Sequence, residues 1–546
     1  MCLTLFLWSS FVPHLAGENY YTDDLPQYQQ SLHGAFVIST VASSDTFALD
    51  YQQVMASPGV VLCLDAAKLA KEKIGNSVSP NEPLFAESKV AYVGQRLALI
   101  VADTQEHADD AVAKVKVTYG PPDHRPILTI QDAIDAKSFF SQDPETFSKG
   151  DASGALSKSE VRFKGSTSCG HQHHFYMEVQ TACACPSADG LKVQVSTQGP
   201  GLIAGVVASS LGMQMSQIEV EMTQAGGAYG GKSSKSVPTA LAAALASHFT
   251  KKPCKMRFGL NANLANLGSR RPHRFDYEVG CDHSGRINAI VGTLYYLQGA
   301  FKDFGDTGGL DVIYMSIDGA YNVPNWDLKG YQCLSNTPGN TFCRGPVFLP
   351  GTFIIEQILD HTSHELGLDP LEIRRNHVYQ RGDVSLAGQK LTDCNAEAVL
   401  EEVLSKSDYA SRVSEVEDFN KGNRFLKRGL GVLAAKYMVS SSLSFSPFFV
   451  TLTDSVSLSL SFSLSLSLSL CLSLCLSLSL SLFLSLSFQM NPCTGFPVIV
   501  SVNEDASVLI QHSGCEIGQG LSTKVIQTAA YELHELGVDI GDISCR

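Results

Sequence analysis

At 546 residues the chain is too long for one ordinary hydrophobic core, and roughly two to four domains are expected. Hydrophobic residues make up 44% and charged residues 17%, the balance of a globular protein. A formal net charge of -14 with no Lys/Arg cluster excludes a surface that tracks nucleic-acid phosphates. There are fifteen cysteines but no C-x-x-C pair, so neither a zinc ribbon nor an iron–sulfur run is present. Cys183 and Cys185 stand in an alternating stretch and fit strand packing. Most of the thiols read as reduced and buried, in a cytoplasmic protein.

The first twelve residues, MCLTLFLWSSFV, have an apolar run without a basic start, and read as a wrongly joined first exon rather than a signal peptide. From Gly34 to Tyr119, GAFVIST, GVVLCLD and QRLALIVA read as strands. TQEHADDAVAKVKVTYG predicts a helix running into a strand, with Thr104 as N-cap and His107 at N3. Pro121, Pro122 and Pro126 then mark a boundary. Beyond it, 127–439 reads as a larger α/β region, with strands LKVQVST and IEVEM and an Ala-rich helix, VPTALAAALASHF. A further helix, TFIIEQILDHTSHELG, should stop at Gly367.

Between 440 and 488 the chain becomes an alternation of Leu and Ser, and no charge occurs from Ser455 to Asn503. A strand of that length would be an aggregation hazard, and a membrane span would not be half hydroxyls. A CT dinucleotide repeat read in triplets encodes Leu-Ser indefinitely. The tract therefore reads as translated intron or microsatellite, with no packed place in the fold. After it, FPVIVSVNEDASVLIQHSG predicts a hairpin turning near Asn503, and LSTKVIQTAAYELHELG a helix.

Residues 226–233, GGAYGGKS, satisfy the phosphate-loop pattern G-x-x-x-x-G-K-[ST] between a predicted strand and a predicted helix. VIYMSID, ending at Asp318, is a weak Walker B partner. The glycines permit positive φ and close backbone approach, and successive N–H groups could cradle an anion or an oxide. A tight turn without a ligand is equally compatible, so a nucleotide hydrolase stays open at this point. Upstream, His171, His173 and His174 have a spacing that suits neither one helix face nor one strand face, which argues against a direct metal site.

Four segments in order carry a resemblance. Gly170, Gln172, His174, Phe175, Tyr176, Glu178 and Gln180 match G-x-Q-x-H-F-Y-x-E-x-Q, and residues 226–232 match G-G-[GA]-[FY]-G-G-K. Asn340, Thr341, Arg344 and Gly345 match N-T-x-x-R-G, while Gly514, Glu516, Gly518, Gln519 and Gly520 match G-x-E-x-G-Q-G. Together they resemble the xanthine dehydrogenase and aldehyde oxidase family of molybdenum hydroxylases. The resemblance implies an α/β (α+β) chain with a hammerhead domain at 13–122 and the first part of a molybdopterin-binding domain at 127–439. A second molybdopterin-binding part would start at 489–546.

It further implies that Gln172, Tyr229 and Arg344 stand nearest the metal, with Gln172 donating to an apical oxo ligand. The backbone amides of Tyr229 and Gly230 would face oxygen ligands, and Ile517, Gly518 and Gln519 would hold the pterin, whose dithiolene supplies the metal's ligands. The implied reaction is hydroxylation of an aldehyde or N-heterocycle by a homodimer off the membrane. Electrons would leave through 2Fe-2S centres to FAD on domains not found here. Substrate positions depart from the pattern, with Ser233 for a glutamate, Val312 for an arginine and Pro346 for a stacking Phe. Aldehydes or small heterocycles are therefore expected over xanthine. The family's general-base glutamate segment, G-x-G-E-x, is absent, so the expectation is a fragment inactive alone, with no catalytic residue of its own. The alternatives are a P-loop nucleotide hydrolase at residues 226–233 and a non-catalytic product, either a pseudoenzyme or an incomplete gene prediction.

Overall fold

The computed structural model describes residues 20–25, 28–79, 81–122, 125–222, 224–303, 314, 316–437, 481–482, 498–502, 507–512, 514–534, 538, 541 and 543–545. In chain order the first elements are β1 (Leu32–Ile38), β2 (Val60–Asp65), β3 (Arg96–Ala102) and α1 (Gln105–Ala113). Then come β4 (Glu145–Lys149), β5 (Val161–Cys169), β6 (Thr181–Pro186), β7 (Leu191–Val195), α2 (Pro200–Leu211) and β8 (Ile218–Glu221). They lead to α3 (Val237–Thr250), β9 (Cys254–Arg257), β10 (His273–Cys281), β11 (Ile287–Gly299), β12 (Asn325–Leu334) and α4 (Phe348–Leu366). The last are β13 (Ser481–Leu482), β14 (Val498–Val502), β15 (Val508–His512), α5 (Leu521–Leu533) and β16 (Ile543–Cys545).

Local signals set several of these limits. The Thr104 side chain accepts the His107 N–H at the start of α1, and Gly367 closes α4 with φ 64°, where a Cβ would be penalised. The mainly apolar α3 is buried from Val237 to Ser247, as expected of a helix lodged inside a core rather than laid on its surface.

A seven-stranded mixed sheet has the order β8-β7-β6-β9-β1-β3-β2. Its strand β1 pairs with β9 in parallel, Leu32 opposite Cys254. The prolines at 121–126 thus separate two stretches of chain but not two sheets, because β1 to β3 complete a sheet begun by β6 to β9. Helices α2 and α3 cover it, through Val207, Leu241 and Leu245, against Phe36, Val193 and Met256. Fully burying a leucine there contributes about 1.5–3 kcal/mol.

Strands β4 and β5, from the start of 127–439, join β10 to β12 in a separate five-stranded sheet, β4-β12-β11-β10-β5, with α4 against it through Ile354, Ile355 and Ile358. The chain crosses between the sheets from β5 to β6 and again from β9 to β10; Gln172 lies in the first link and Arg270 in the second.

The predicted hairpin is β14 paired with β15, and β16 extends it in parallel. Of the Leu-Ser tract, all but β13 lies outside the described residues, as do the first nineteen residues and the turn at 503–506. Within the tract, β13 is a two-residue strand paired to β14 through its backbone. Ser481 pairs with Ser501 and Leu482 with Val500, because any extended backbone can satisfy an open sheet edge.

Candidate functional site

Residues 172–180 hold the glycine loop from beneath. The Glu178 carboxylate accepts from Gly226 N–H at 2.8 Å, Ser196 Oγ at 2.6 Å, Lys232 Nζ at 2.8 Å and Thr22 N–H at 3.2 Å. Gln180 Nε2 donates to the Gly231 carbonyl at 2.8 Å and to the Tyr176 hydroxyl at 2.9 Å. His174 Nε2 lies 2.6 Å from the Phe342 carbonyl, so that nitrogen carries the proton. Burial lowers the His174 pKa and keeps the ring neutral. Two glycines are required by this packing. A Cβ on Gly231 would sit 2.7 Å from the His174 and Tyr176 rings, and Gly230, at φ 95°, would put one 2.5 Å from the Phe342 carbonyl oxygen.

Above the loop is a cavity of about 520 Å³ lined by Gln172, Arg270, Arg344, Gly345, Leu349 and Tyr437. Tyr229 joins it through the backbone, its carbonyl accepting the Arg344 N–H at 2.8 Å. Arg270 is buried and donates Nε to Gln172 Oε1 at 2.7 Å, Nη1 to the Gly345 carbonyl at 3.4 Å and Nη2 to the Arg344 carbonyl. The backbone beside Arg344 is strained: Val347, β-branched and buried, has φ 61°. Such a conformation costs about 1–3 kcal/mol and persists only where the surroundings enforce it.

A buried charge network ties this region to the first three strands. Arg96 Nη2 is 2.7 Å from Glu82, and Lys235 Nζ lies 3.6 Å from both Glu82 and Asp303. Ser234 and Thr341 donate their hydroxyls to Asp303. Burial alone would push the Glu82 carboxyl up, but Lys235 and Arg96 hold it below the usual carboxylate range.

The 514–520 segment meets the residue before the glycine loop, where Ala225 N–H donates to the Glu516 carbonyl at 3.0 Å. The Glu516 carboxylate accepts the N–H groups of Gly518, Gly520 and Ser522, and so caps α5. Gln519 is exposed and bonded within its own loop. Its Oε1 accepts the Ile517 N–H at 2.7 Å and its Nε2 donates to the Cys515 carbonyl at 2.7 Å, so it closes its own loop. The Gly230 amide is likewise not free, donating to Gln198 Oε1 at 3.0 Å. Ser233 and Pro346 are half-buried and are not among the residues lining the cavity, and Val312 lies outside the described residues.

The phosphate-loop reading is corrected by the same geometry. Lys232 is 0% exposed, paired to Glu178 and 4.8 Å from the centre of the Tyr176 ring. Helix α3 begins only at Val237, so Lys232 and Ser233 precede its first turn. Asp318 lies in a turn, not at a strand end, and holds Lys436. The histidines also diverge: His171 meets Ser269 at 2.7 Å while His174 meets Phe342. Among the described residues no three His, Cys, Asp or Glu side chains are grouped to hold a metal ion.

Sequence reasoning passed over Arg270, Gln198 and Tyr437. The available signal for Arg270 was the pair Arg270-Arg271 directly before the alternating strand β10, where two cations seldom enter a core without partners.

The fold is α/β, two sheets with a cavity of about 520 Å³ beside the glycine loop. Residues 135–378 match the family model of a molybdopterin cofactor-binding domain, and 473–546 match a second model of that description. Residues 16–123 match the a/b hammerhead domain of aldehyde oxidase and xanthine dehydrogenase. The chain is 30% identical over 519 residues to a xanthine dehydrogenase/oxidase of Gallus gallus, covering 95% of this chain and 34% of that protein. It is 30% identical over 538 residues to a nicotinate hydroxylase of Emericella nidulans, covering 96% of this chain and 36% of that one. The aldehyde oxidoreductase of Desulfovibrio gigas shares the fold, with a TM-score of 0.77 at 19% identity over 98% of this chain and 55% of that chain. The chain belongs to the xanthine dehydrogenase and aldehyde oxidase family, and spans about a third of the length of the curated relatives it matches.

Proposed function

We propose that this chain binds a molybdopterin-held molybdenum at the cavity of Gln172, Arg270 and Arg344, as part of an enzyme that hydroxylates aldehydes or N-heterocycles. The observation that carries it is the convergence of Gln172 and Arg344 on one cavity, with the glycine loop bonded to Arg344 through the Tyr229 carbonyl. The cavity lining offers an amide and two guanidinium groups but no thiolate or imidazole. That donor set fits a metal that arrives with its own ligands and needs only hydrogen-bond donors for its oxygens.

When bound, the cofactor would supply the two-electron oxidation and the oxygen transfer. The residues of this chain bind and orient. Because Arg270 occupies Gln172 Oε1, the Gln172 Nε2 is left as the donor toward an oxygen in the cavity. Arg344, which lines the same cavity, would add a positive charge toward that oxygen. Leu349 and Tyr437 give the wall an apolar and an aromatic surface. An aldehyde or small heterocycle is the proposed substrate over xanthine, on the sequence departures at Ser233 and Pro346 alone since neither lines the cavity, acted on by a dimer in the cytoplasm. No described helix is long and apolar enough to cross a membrane.

The test is pterin content per mole of the full chain, expressed in a molybdopterin-producing host, together with turnover of an aldehyde, a pyridine carboxylate and xanthine by the longest native form. Bound pterin with xanthine as the poorest substrate is the expected result. Absence of pterin refutes the cofactor reading, and xanthine as the best substrate refutes the substrate reading.

A further inference from the structure

We propose that Arg270 is a positioning residue that sets the polarity of Gln172 toward the cavity, and that it couples Gln172 to the Arg344–Gly345 turn. The proposal deepens the cofactor reading above and rests on it for its functional consequence. A glutamine amide presents either its oxygen or its nitrogen with little difference in shape, so something must choose. Guanidinium has only donors. With Arg270 Nε 2.7 Å from Gln172 Oε1, the oxygen is turned to the arginine and the NH₂ group is left to donate elsewhere.

The same guanidinium holds the carbonyls of Arg344 and Gly345, and the Arg270 backbone N–H donates to the Gln172 carbonyl at 2.9 Å. One buried side chain therefore fixes both residues that flank the cavity, although they belong to segments far apart in sequence. Lysine could not replace it, because a single ammonium lacks the planar fork that meets three acceptors at once.

The test uses the full chain as wild type, Arg270→Lys, Arg270→Met and Gln172→Glu, with two readouts. The first is a crystal structure of each, which reports the Gln172 side chain whether or not pterin is bound. The second is pterin content per mole. Gln172→Glu keeps a partner for Arg270 and should fold, yet it presents an acceptor to the cavity in place of a donor. We expect Gln172 to turn or lose order in both Arg270 variants, and pterin content to fall at least tenfold in Gln172→Glu and in Arg270→Met. If Gln172 keeps its place without Arg270, or Gln172→Glu retains full pterin, the proposal is overturned. If Arg270→Met does not fold, Arg270→Lys and Gln172→Glu decide. A pterin-free wild type in which Gln172 still depends on Arg270 would sink the cofactor reading and leave the positioning role standing.

Discussion

Lys232 lies under the glycine loop in the region of the seven-stranded sheet, while Asp318 lies in a turn packed with the core of the five-stranded one. A phosphate-loop site would bring them together around a nucleotide. Here each is tied to a different partner. Lys232 meets Glu178 at 2.8 Å, both side chains nearly sealed from solvent. Asp318, also sealed, takes both carboxylate oxygens to Lys436 at 2.7 Å and accepts from the Tyr379 hydroxyl and the Leu386 N–H. The Lys436 side chain is 27% exposed. What looks like one catalytic pair in the sequence is two structural clamps in the fold, one steadying the glycine loop and the other fixing the 424–437 segment whose Tyr437 lines the cavity.

The difference can be broken experimentally, beginning where burial is greatest. Lys232→Met should leave the Glu178 carboxylate buried without its cation, costing about 3–5 kcal/mol in a denaturant melt. A nucleotide-binding lysine would instead leave stability nearly unchanged. Asp318→Asn should cost about 2–3 kcal/mol, less because Lys436 can turn to water. Equal losses for the two variants would contradict the contrast in exposure.

Gly230→Ala should cost about 1–2 kcal/mol by the same melt, since its φ of 95° and the Phe342 carbonyl both resist a Cβ. A neutral result would show that the loop is held less tightly than the hydrogen bonds imply. The smallest effect concerns His273, at the start of β10. Burial, aided by the charge of Arg270, pushes its pKa down to about 4. The folded state then binds fewer protons than the unfolded one, where the value is about 6.5. Stability from this group is complete above pH 6.5 and is lost as pH falls toward 4. Lowering pH from 6.5 to 5.5 should cost about 1 kcal/mol, and His273→Phe should remove that part of the slope in pH-dependent melts. An unchanged slope would rule this contribution out.

The parts of the molecule legible in the sequence are those set by short-range chemistry. Thr104 with His107, Gly367 and the hairpin at 498–512 are each fixed by neighbours within a few residues. The glycine loop was visible for the same reason, but its use was not. Whether Lys232 faces a phosphate or Glu178 depends on a residue 54 positions away, and Arg270 meets Gln172 across 98 positions. Such pairings leave no periodicity. The sheet that crosses the proline boundary was hidden similarly, because parallel pairing of Leu32 with Cys254 leaves no local trace in either segment. The Gly230 amide donates to Gln198 Oε1, and the Gln519 side chain accepts the Ile517 N–H and donates to the Cys515 carbonyl, contacts that no local pattern announces.

The central claim is that the Gln172–Arg344 cavity, and not the Lys232 loop, is the ligand site. The most direct measurement is pterin bound per mole of full chain for wild type, Gln172→Ala with Arg344→Ala, and Lys232→Arg, each also titrated with Mg-ATP while the melting midpoint is followed. The account predicts pterin in the wild type, at least a tenfold loss in the double variant, and no ATP-dependent shift in any of them. Pterin content indifferent to Gln172 and Arg344, or an ATP-dependent rise in midpoint that Lys232→Arg abolishes, would contradict it.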